Sequence, residues 1–369
     1  MRVLGVDPGT GSMDVVALED ESNRILFASS MERWRITENP RVFFDLILGL
    51  HEEHGFDAMT APSGYGMPLK RVQDATVEDI NEASFTHCRD LEEQHQIHGL
   101  RLLMLLYKES SLPAYFTPGA IHLPTVPEYR KLGRIDLGTA DKIYTVAAAL
   151  ARLWVEHGIK PSEANMVVVE AGKAYTSGLL VEHGEIRDGI GGTMGWWGLR
   201  GAGLMDAETC YVLSTLRPQM PKRYLFKGGI EDVGSQWRSR MAGEAVAKTV
   251  AALLAAAEEE IDWIALSGRT TRIYRESVLR AVKKIASSLS SPPRIVFLED
   301  ETPGEAKAGA YGAAVVASGI VGGRYDPIVE SLKLRESRGS VFDYLTPWGI
   351  SEEAKLYFRH CPPQPLSFS

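Results

Sequence analysis

The sequence predicts an α/β protein built from two copies of one βββαβαβα unit, each copy a mixed sheet flanked by helices. Three observations predict this. A short apolar strand ending in an acid and a Gly-rich turn occurs twice, at residues 3–12 and 166–178. Each occurrence continues into two further strand candidates. Each half then closes on a Gly-headed, Ala-rich helical stretch, at residues 138–154 and 304–320.

In the first half, residues 3–7 form the apolar strand and Pro8-Gly9-Thr10-Gly11-Ser12 the turn. A second strand runs to Leu18, the polar residues 19–23 turn the chain, and residues 24–27 complete a meander. Residues 42–50 are apolar at helical spacing and end in the polar run 51–55. Residues 56–61 read as a strand reaching the loop Pro62-Ser63-Gly64-Tyr65-Gly66, 91–107 as a helix, and 120–126 as a late strand.

The second half repeats the syntax. Residues 166–169 lead to Glu170, then Ala171-Gly172-Lys173-Ala174-Tyr175-Thr176-Ser177, and strands at 178–181 and 185–186 follow. A helix is expected over 243–260, a strand over 261–266 ending in Ser267-Gly268-Arg269, a helix over 275–289 and a strand over 294–298. The expected units are 1–155, with an inserted segment at about 62–137 carrying Pro113, Pro118, Pro124 and Pro127, then 156–320, and an extension at 321–369. The extension shows no clear pattern, and its proline-rich end, residues 361–365, reads as extended.

Composition narrows the class. Of 369 residues, 44% are hydrophobic, enough for folded cores rather than disorder. The net charge of −8 and the lack of a dense basic stripe argue against nucleic acid as a partner. No window reaches the ~18 apolar residues of a membrane span. The best run, 245–257, is broken by Lys248, so no membrane partner is expected. The first residues lack a signal-peptide layout. Cys88, Cys210 and Cys361 are scattered and odd in number, which fits a reducing cytoplasm and neither a disulfide framework nor a metal knuckle. His87, His95 and His98 lie in a polar helical stretch with no nearby acid to complete a metal set.

The chemistry sits in the turns. Backbone N–H groups of Gly9, Thr10, Gly11 and Ser12 can converge on an anion, and a Cβ would block that approach. Asp7 beside them suits Mg²⁺ held through water, because Mg²⁺ keeps several waters and needs only one or two carboxylates. An ordinary hairpin turn capped by Asp7 fits the same residues. The second copy, Glu170 with Gly172, Lys173 and Thr176, tips the reading toward two turns gripping a polyphosphate from both sides. Ser267-Gly268-Arg269 is a third strand-end loop, where a purine could lie against Gly268 and Arg269 could stack or reach a phosphate; a tight strand-to-helix turn is the alternative. The cluster Gly191-Gly192-Thr193-Met194-Gly195 reads as a substrate loop, or as a spacer beside packing anchors Trp196 and Trp197. In Gly138-Thr139-Ala140-Asp141-Lys142, Thr139 and Asp141 suit a helix start; as functional groups, Asp141 is a base or orienting carboxylate and Lys142 a phosphate contact.

This order of motifs resembles the actin-like ATPase superfamily, which includes actin, heat-shock chaperone ATPases, sugar kinases and acetate/butyrate kinases. The resemblance covers roughly residues 1–325 and implies two ribonuclease H-like domains around a nucleotide cleft. It makes residues 7–12 and 170–178 the two phosphate motifs, residues 265–269 the adenosine motif, and residues 138–149 and 304–319 the connecting helices. Arg134-Ile135-Asp136-Leu137-Gly138-Thr139-Ala140-Asp141-Lys142, Asp188-Gly189-Ile190-Gly191-Gly192-Thr193 and the run from Tyr311 to Gly323 look most like a mainly archaeal family labelled predicted butyrate kinase. There are departures. Glu170 stands where the second phosphate motif usually has Asp. Leu137 stands where acetate and butyrate kinases are similar in carrying an electrophilic His, which removes one expected charge-stabilising group. The His pair of the O-sialoglycoprotease-like branch and the bridging cysteines of the iron–sulfur activator branch are missing.

The resemblance implies a cytoplasmic small-molecule kinase using ATP and Mg²⁺, and it leaves room for a homodimer. Asp7 and Glu170 would orient the metal, and Lys173 or Arg134 would neutralise developing charge. Asp141 would take the proton of a hydroxyl acceptor. Ser63, Tyr65 and Arg134 in the insertion, with Gly192 and Thr193, would meet the acceptor, a carboxylate or a hydroxyl compound. Two other functions fit the same motifs: an ATPase switch whose domain angle a protein partner reads, and a nucleotide-binding module without turnover.

Overall fold

A computed structural model describes residues 1–85, 95–217, 222–301 and 306–360. The chain opens with β1 (Arg2–Asp7), β2 (Ser12–Glu19) and β3 (Arg24–Glu32), an antiparallel meander. Helices α1 (Arg33–Glu38) and α2 (Pro40–His54) follow. The start of α2 is set by the Asn39 side chain accepting from the Arg41 N–H and by Pro40 in the first turn. Its end is set by Gly55 at φ +61°. Then come β4 (Ala58–Thr60), β5 (Lys70–Arg71), α3 (Val77–Ser84), α4 (His95–Lys108), β6 (Ala114–Phe116), α5 (Glu128–Lys131) and α6 (Ala140–His157).

A second meander, β7 (Met166–Ala171), β8 (Thr176–Glu182) and β9 (Glu185–Ile190), leads to α7 (Ala207–Leu216) and α8 (Ser235–Leu254). The remainder is β10 (Trp263–Ser267), α9 (Arg269–Ile273), α10 (Arg275–Ala286), β11 (Arg294–Phe297), α11 (Ala308–Ile320), α12 (Asp326–Ser331) and α13 (Ser351–Arg359).

The two sheets repeat one order. The first runs β3-β2-β1-β4-β6-β5 and the second β9-β8-β7-β10-β11, so only the short edge strand β5 lacks a counterpart. In both, the third meander strand to be reached from the edge pairs in parallel with the strand that follows the first long helix. Alternation along each strand sends residues to two cores. Leu4, Val6, Val15 and Ala17 join a cluster with α2 and α4, and Val167, Val169 and Leu180 join one with α8 and α10. Val3, Val16, Leu18, Met166, Val168 and Leu179 face a shared central layer made by α6 and α11. The small residues of that layer allow close approach. A Cβ on Gly5 of β1 would lie 2.1 Å from the Ala314 nitrogen, and one on Gly312 only 1.8 Å from the Tyr144 oxygen.

The structure shifts several expected elements. The late strand of the first half is β6, ahead of residues 120–126, which form a 3₁₀ turn at Ala120–His122 and irregular backbone. Pro124 denies that run an N–H group of a ladder, Pro118 and Pro127 flank it, and its apolar side chains are buried without a ladder. Helix α8 starts at Ser235 rather than 243 and stops at Leu254, short of three consecutive acids that would oppose the helix dipole. The buried Glu182 carboxylate then accepts from the N–H groups of Glu258 (2.6 Å) and Glu259 (2.8 Å). The patternless extension folds into α12 and α13. It is strapped to the insertion by Arg359 donating to Glu82 (2.8 Å), by the Val341 N–H donating to Glu82 (3.1 Å), and by Phe85 packed against Phe342 and Phe358. Cys88, Cys361, His87 and Gly304 lie outside the described residues, as do residues 361–365. Among the described residues no helix is long and apolar enough to cross a membrane.

Candidate active site

The duplicated strands deliver their terminal acids to one place. Asp7 ends β1 and Glu170 lies at the end of β7, and their turns border a single cleft of about 520 Å³. The turns face each other closely. A Cβ on Gly11 would lie 2.8 Å from Cδ of Lys173 and 3.5 Å from Nη1 of Arg269, both from the other half. A Cβ on Gly9 would lie 2.2 Å from Nζ of Lys307. Gly172 is different: nothing stands nearer than 3.6 Å to its missing Cβ, so its surface is open.

At the centre, two lysines cross between the halves. Lys142, in the first turn of α6, reaches Glu170 (2.9 Å) and its neighbour Asp141 (2.6 Å). Lys307, the residue before α11, reaches Asp14 (2.9 Å) and Asp7 (3.6 Å). Thr139 completes the hydrogen bonding of Asp141, and Thr145 donates to Glu170 at 2.8 Å. Ser12 donates to Asp14 at 2.9 Å.

These groups set one another's ionisation. Burial pushes the Asp7 carboxyl up to about 7, against the pull of Lys307 and with a further push from Glu170 and Asp141. Burial works against the Lys142 ammonium, but Asp141, Glu170 and Asp7 outweigh it and raise its pKa. Lys307 is raised in the same way by Asp7 and Asp14. Burial also opposes ionisation of Asp141, but the adjacent Lys142 lowers its pKa nonetheless.

A divalent cation fits this set. Four carboxylates face two lysines, an excess of negative charge equal to one such ion when all are ionised. Oδ1 of Asp7 is buried with no hydrogen-bond partner, whereas Glu170 gives Oε1 to Lys142 and Oε2 to Thr145. Among the described residues no three His, Cys, Asp or Glu side chains gather to hold a metal alone. Mg²⁺ needs fewer, because phosphate and water supply the remaining ligands.

At one end of the cleft Gly268, Arg269, Arg272, Arg275 and Phe297 form the wall, with the Arg275 guanidinium 3.8 Å from the Phe297 ring centroid. Glu299 fixes this loop, accepting from the Ser267 hydroxyl (2.5 Å) and the Gly268 N–H (2.6 Å). Gly268 has φ +100°, and a Cβ there would meet the Ala171 oxygen at 2.4 Å. Its glycine is therefore required by backbone packing as well as by the cleft. At the other end, Tyr65, Leu100, Asp136, Thr139, Tyr175, Gly192, Thr193, Lys222 and Phe226 line the wall. Asp136 joins the halves by accepting from the N–H groups of Gly138 (2.8 Å) and Gly192 (3.0 Å).

Of the residues singled out in the sequence, Gly9, Thr10, Gly11, Ser12, Asp141, Glu170, Gly172, Lys173, Gly192, Thr193, Gly268 and Arg269 line this cleft. Asp7 lies just beneath its surface, 1% exposed. Four others are not brought to the cleft wall. Thr176 is buried and donates to the Trp197 carbonyl (2.8 Å), because β8 has already turned inward there. Ser63 is buried and donates to the Ala61 carbonyl (2.8 Å). Ser267 stands behind Gly268 on Glu299. Arg134 is exposed outside the cleft. Sequence reasoning missed Lys307, Asp14 and Glu299. Asp14 had a signal, since an acid inside the apolar run of β2 calls for a buried partner.

The fold is similar to that of Porphyromonas gingivalis acetate kinase, at 13% identity and TM-score 0.56 over 87% of this chain and 99% of that one. It is similar to a propionate kinase from Francisella tularensis subsp. tularensis SCHU S4, at 14% identity and TM-score 0.56 over 85% and 98%. Acetate kinase from Entamoeba histolytica matches at 11% identity and TM-score 0.52 over 80% and 95%. Together with the repeated strand order, these likenesses establish the actin-like ATPase fold. No curated protein matches the sequence. The family model described as "Protein of unknown function (DUF1464)" matches residues 5–347, and the chain belongs to that family.

Proposed function

We propose that this protein is an ATP-dependent kinase that transfers the γ-phosphoryl group to a small carboxylate or hydroxyl acceptor. One observation carries the reading: two equivalent acid-and-glycine turns face one cleft, each acid paired with a lysine from the opposite half. Backbone N–H groups of the turn from Thr10 to Ser12 and the open face of Gly172 bind phosphate oxygens, while the Gly9 N–H closes the turn on the Asp7 carbonyl. Gly268, Arg269 and the Arg275–Phe297 layer receive the nucleoside. Asp7 holds water on the metal side, and Glu170 fixes Lys142 in place. When bound, Mg²⁺ would be held on the Asp7 side and would supply charge neutralisation for phosphoryl transfer. Lys142, Lys173 and Lys307 neutralise charge in a loose transition state, where positioning matters more than covalent chemistry.

The state of Asp141 favours a carboxylate acceptor. Both of its oxygens are engaged and its pKa is lowered, so it orients a partner better than it removes a proton. Acetate and propionate kinases among the fold neighbours support the same class, and the butyrate-kinase-like motifs around residues 134–142 extend it. The test is ADP release with ATP·Mg²⁺ against carboxylates and hydroxyl compounds, with hydroxylamine present to trap acyl phosphate. Hydroxamate formed only with an acid supports the reading. ADP release that no acceptor stimulates, rising instead with a protein partner, would replace it with the switch.

A further inference from the structure

We propose that Asp7 and Asp14 form one divalent-cation site, that the ammonium of Lys307 and the cation are its alternative occupants, and that phosphate arriving at the first turn decides between them. The inference deepens the nucleotide reading and rests on it only for the source of that phosphate.

Asp7 of β1 and Asp14 of β2 are directly opposite each other in the antiparallel ladder, so their side chains share a face. Both are buried, at 1% and 0% exposure. Like charges placed this way repel, and Lys307 joins them. Its Nζ lies 2.9 Å from Oδ2 of Asp14 and 3.6 Å from Oδ2 of Asp7. The join is incomplete. The longer distance exceeds a hydrogen bond, and Oδ1 of each acid is buried with no hydrogen-bond partner. The other two acids of the centre are saturated, Asp141 by Thr139 and Lys142, and Glu170 by Lys142 and Thr145. Two facing carboxylates that share one lysine, each with an unused oxygen, suit a hard cation. Such an ion takes one or two carboxylates and completes its shell with phosphate and water.

The lysine has an alternative place close by. Its Nζ stands 2.2 Å from where a Cβ on Gly9 would lie, and Lys307 lines the same cleft as Thr10, Gly11 and Ser12. Rotation about its side-chain bonds therefore carries the charge from the acids to a phosphate in the turn. Lys142 is held by two acids, at 2.6 and 2.9 Å, and has no such freedom. Once Lys307 swings away, Asp7 and Asp14 bring two negative charges face to face, which one divalent ion neutralises. Neither half of the exchange is favourable alone. Metal without phosphate must expel the lysine from its acids, and phosphate without metal must strip the acids of their lysine. Metal and nucleotide therefore bind cooperatively, each strengthening the other by the same factor.

Mn²⁺ as the only added ligand tests the site on the full chain, read from the EPR signal of the free ion in mildly alkaline buffer, where Asp7 is ionised. Lys307→Gln should bind Mn²⁺ about tenfold tighter than the wild type, because a neighbouring positive charge no longer competes. Adding Asp14→Asn to Lys307→Gln should cancel that gain. Calorimetry of ADP binding, with Mn²⁺ and again with EDTA, tests the exchange in a chain that keeps its lysine. Mn²⁺ should strengthen ADP binding to the wild type about tenfold or more, within the usual span of such couplings, and Asp14→Asn should remove most of the enhancement. An unchanged Mn²⁺ affinity in Lys307→Gln, a gain that survives Asp14→Asn, or an enhancement of ADP binding that Asp14→Asn leaves intact each overturns the proposal. ADP that binds the wild type in neither condition overturns the nucleotide reading instead, and the Mn²⁺ affinities of Lys307→Gln with and without Asp14→Asn still decide the cation site.

Discussion

Asp7 and Glu170 end equivalent strands, and each takes a lysine from the opposite half, yet the two ends differ in what remains open. Asp7 is the more deeply buried, shares Lys307 with Asp14, and keeps one oxygen without a partner. Glu170 is saturated by Lys142 and Thr145. The glycines reverse the contrast. Gly9 and Gly11 are pressed by lysine side chains, whereas the space above Gly172 is free. Duplication therefore supplied two frames, and the frames have diverged into a metal-side carboxylate with a crowded turn and a positioning carboxylate with an open one.

The largest effect should come from the unsatisfied acid. Asp7→Asn keeps the shape and removes the charge that faces the metal. Mg²⁺-dependent ADP release should fall at least ~100-fold, in the range lost when an electrostatic transition-state contact is removed. The fold should survive, because burial already disfavours the ionised form. If Glu170→Gln costs more turnover than Asp7→Asn, the assignment of metal side and positioning side is inverted.

Removing a crossing lysine comes next. Lys142→Met leaves Asp141 and Glu170 beside each other without the cation that joins them. Urea unfolding should show a loss of about 3 kcal/mol, as for other buried ion pairs left half-made. Equal stability in wild type and variant would mean that water compensates the two acids, and that the cleft is wetter than its burial indicates.

The glycines give a smaller and more selective pair. Gly9→Ala must displace Nζ of Lys307, which sits 2.2 Å from the new methyl, or shift the turn itself. It should lower stability by roughly 1–2 kcal/mol, typical of overpacking. Gly172→Ala meets nothing closer than 3.6 Å and should leave the melt unchanged while weakening ATP binding. An unchanged ATP affinity in Gly172→Ala would remove the second turn from the phosphate grip.

How much of this was legible in the sequence follows from the kind of signal each residue leaves. The repeated strand–acid–turn and the Ala-rich helices were readable because burial imposes periodicity on neighbouring residues. Gly9, Gly11 and Gly268 were readable because close approach excludes a Cβ, and Gly172 because it repeats the turn of the first half. Lys307 was not, since its partners Asp7 and Asp14 lie some 300 positions away and its own neighbours carry no pattern. Thr176 and Ser63 stand beside motifs without belonging to the cleft: along β8 alternate residues point to opposite faces, so the Thr176 hydroxyl one step off the turn is inside, and Ser63, in the loop after β4, folds its hydroxyl back onto the Ala61 carbonyl. The strand expected at 120–126 failed for a related reason: an apolar run says that residues are buried, and only its N–H inventory says whether they can pair.

The finest test addresses the extra methylene of Glu170. The longer side chain spans from the end of β7 to both Lys142 at 2.9 Å and Thr145 at 2.8 Å on α6. Glu170→Asp shortens that reach by about 1.5 Å, one carbon–carbon bond, so one of the two contacts must lengthen. Thr145→Val removes the hydroxyl contact alone and should cost about 1 kcal/mol of stability, the usual worth of a buried hydrogen bond. If Glu170 acts by positioning Lys142, Glu170→Asp should lower kcat a few-fold with little change in ATP affinity, and Thr145→Val should change both less. If Glu170 instead binds metal through water, the shorter acid resembles Asp7 more closely, and Glu170→Asp should shift the Mg²⁺ concentration needed for half-maximal turnover. Titrating Mg²⁺ at saturating nucleotide separates the two: an unmoved midpoint with reduced kcat keeps Glu170 on the positioning side, and a moved midpoint makes the two turns equivalent after all.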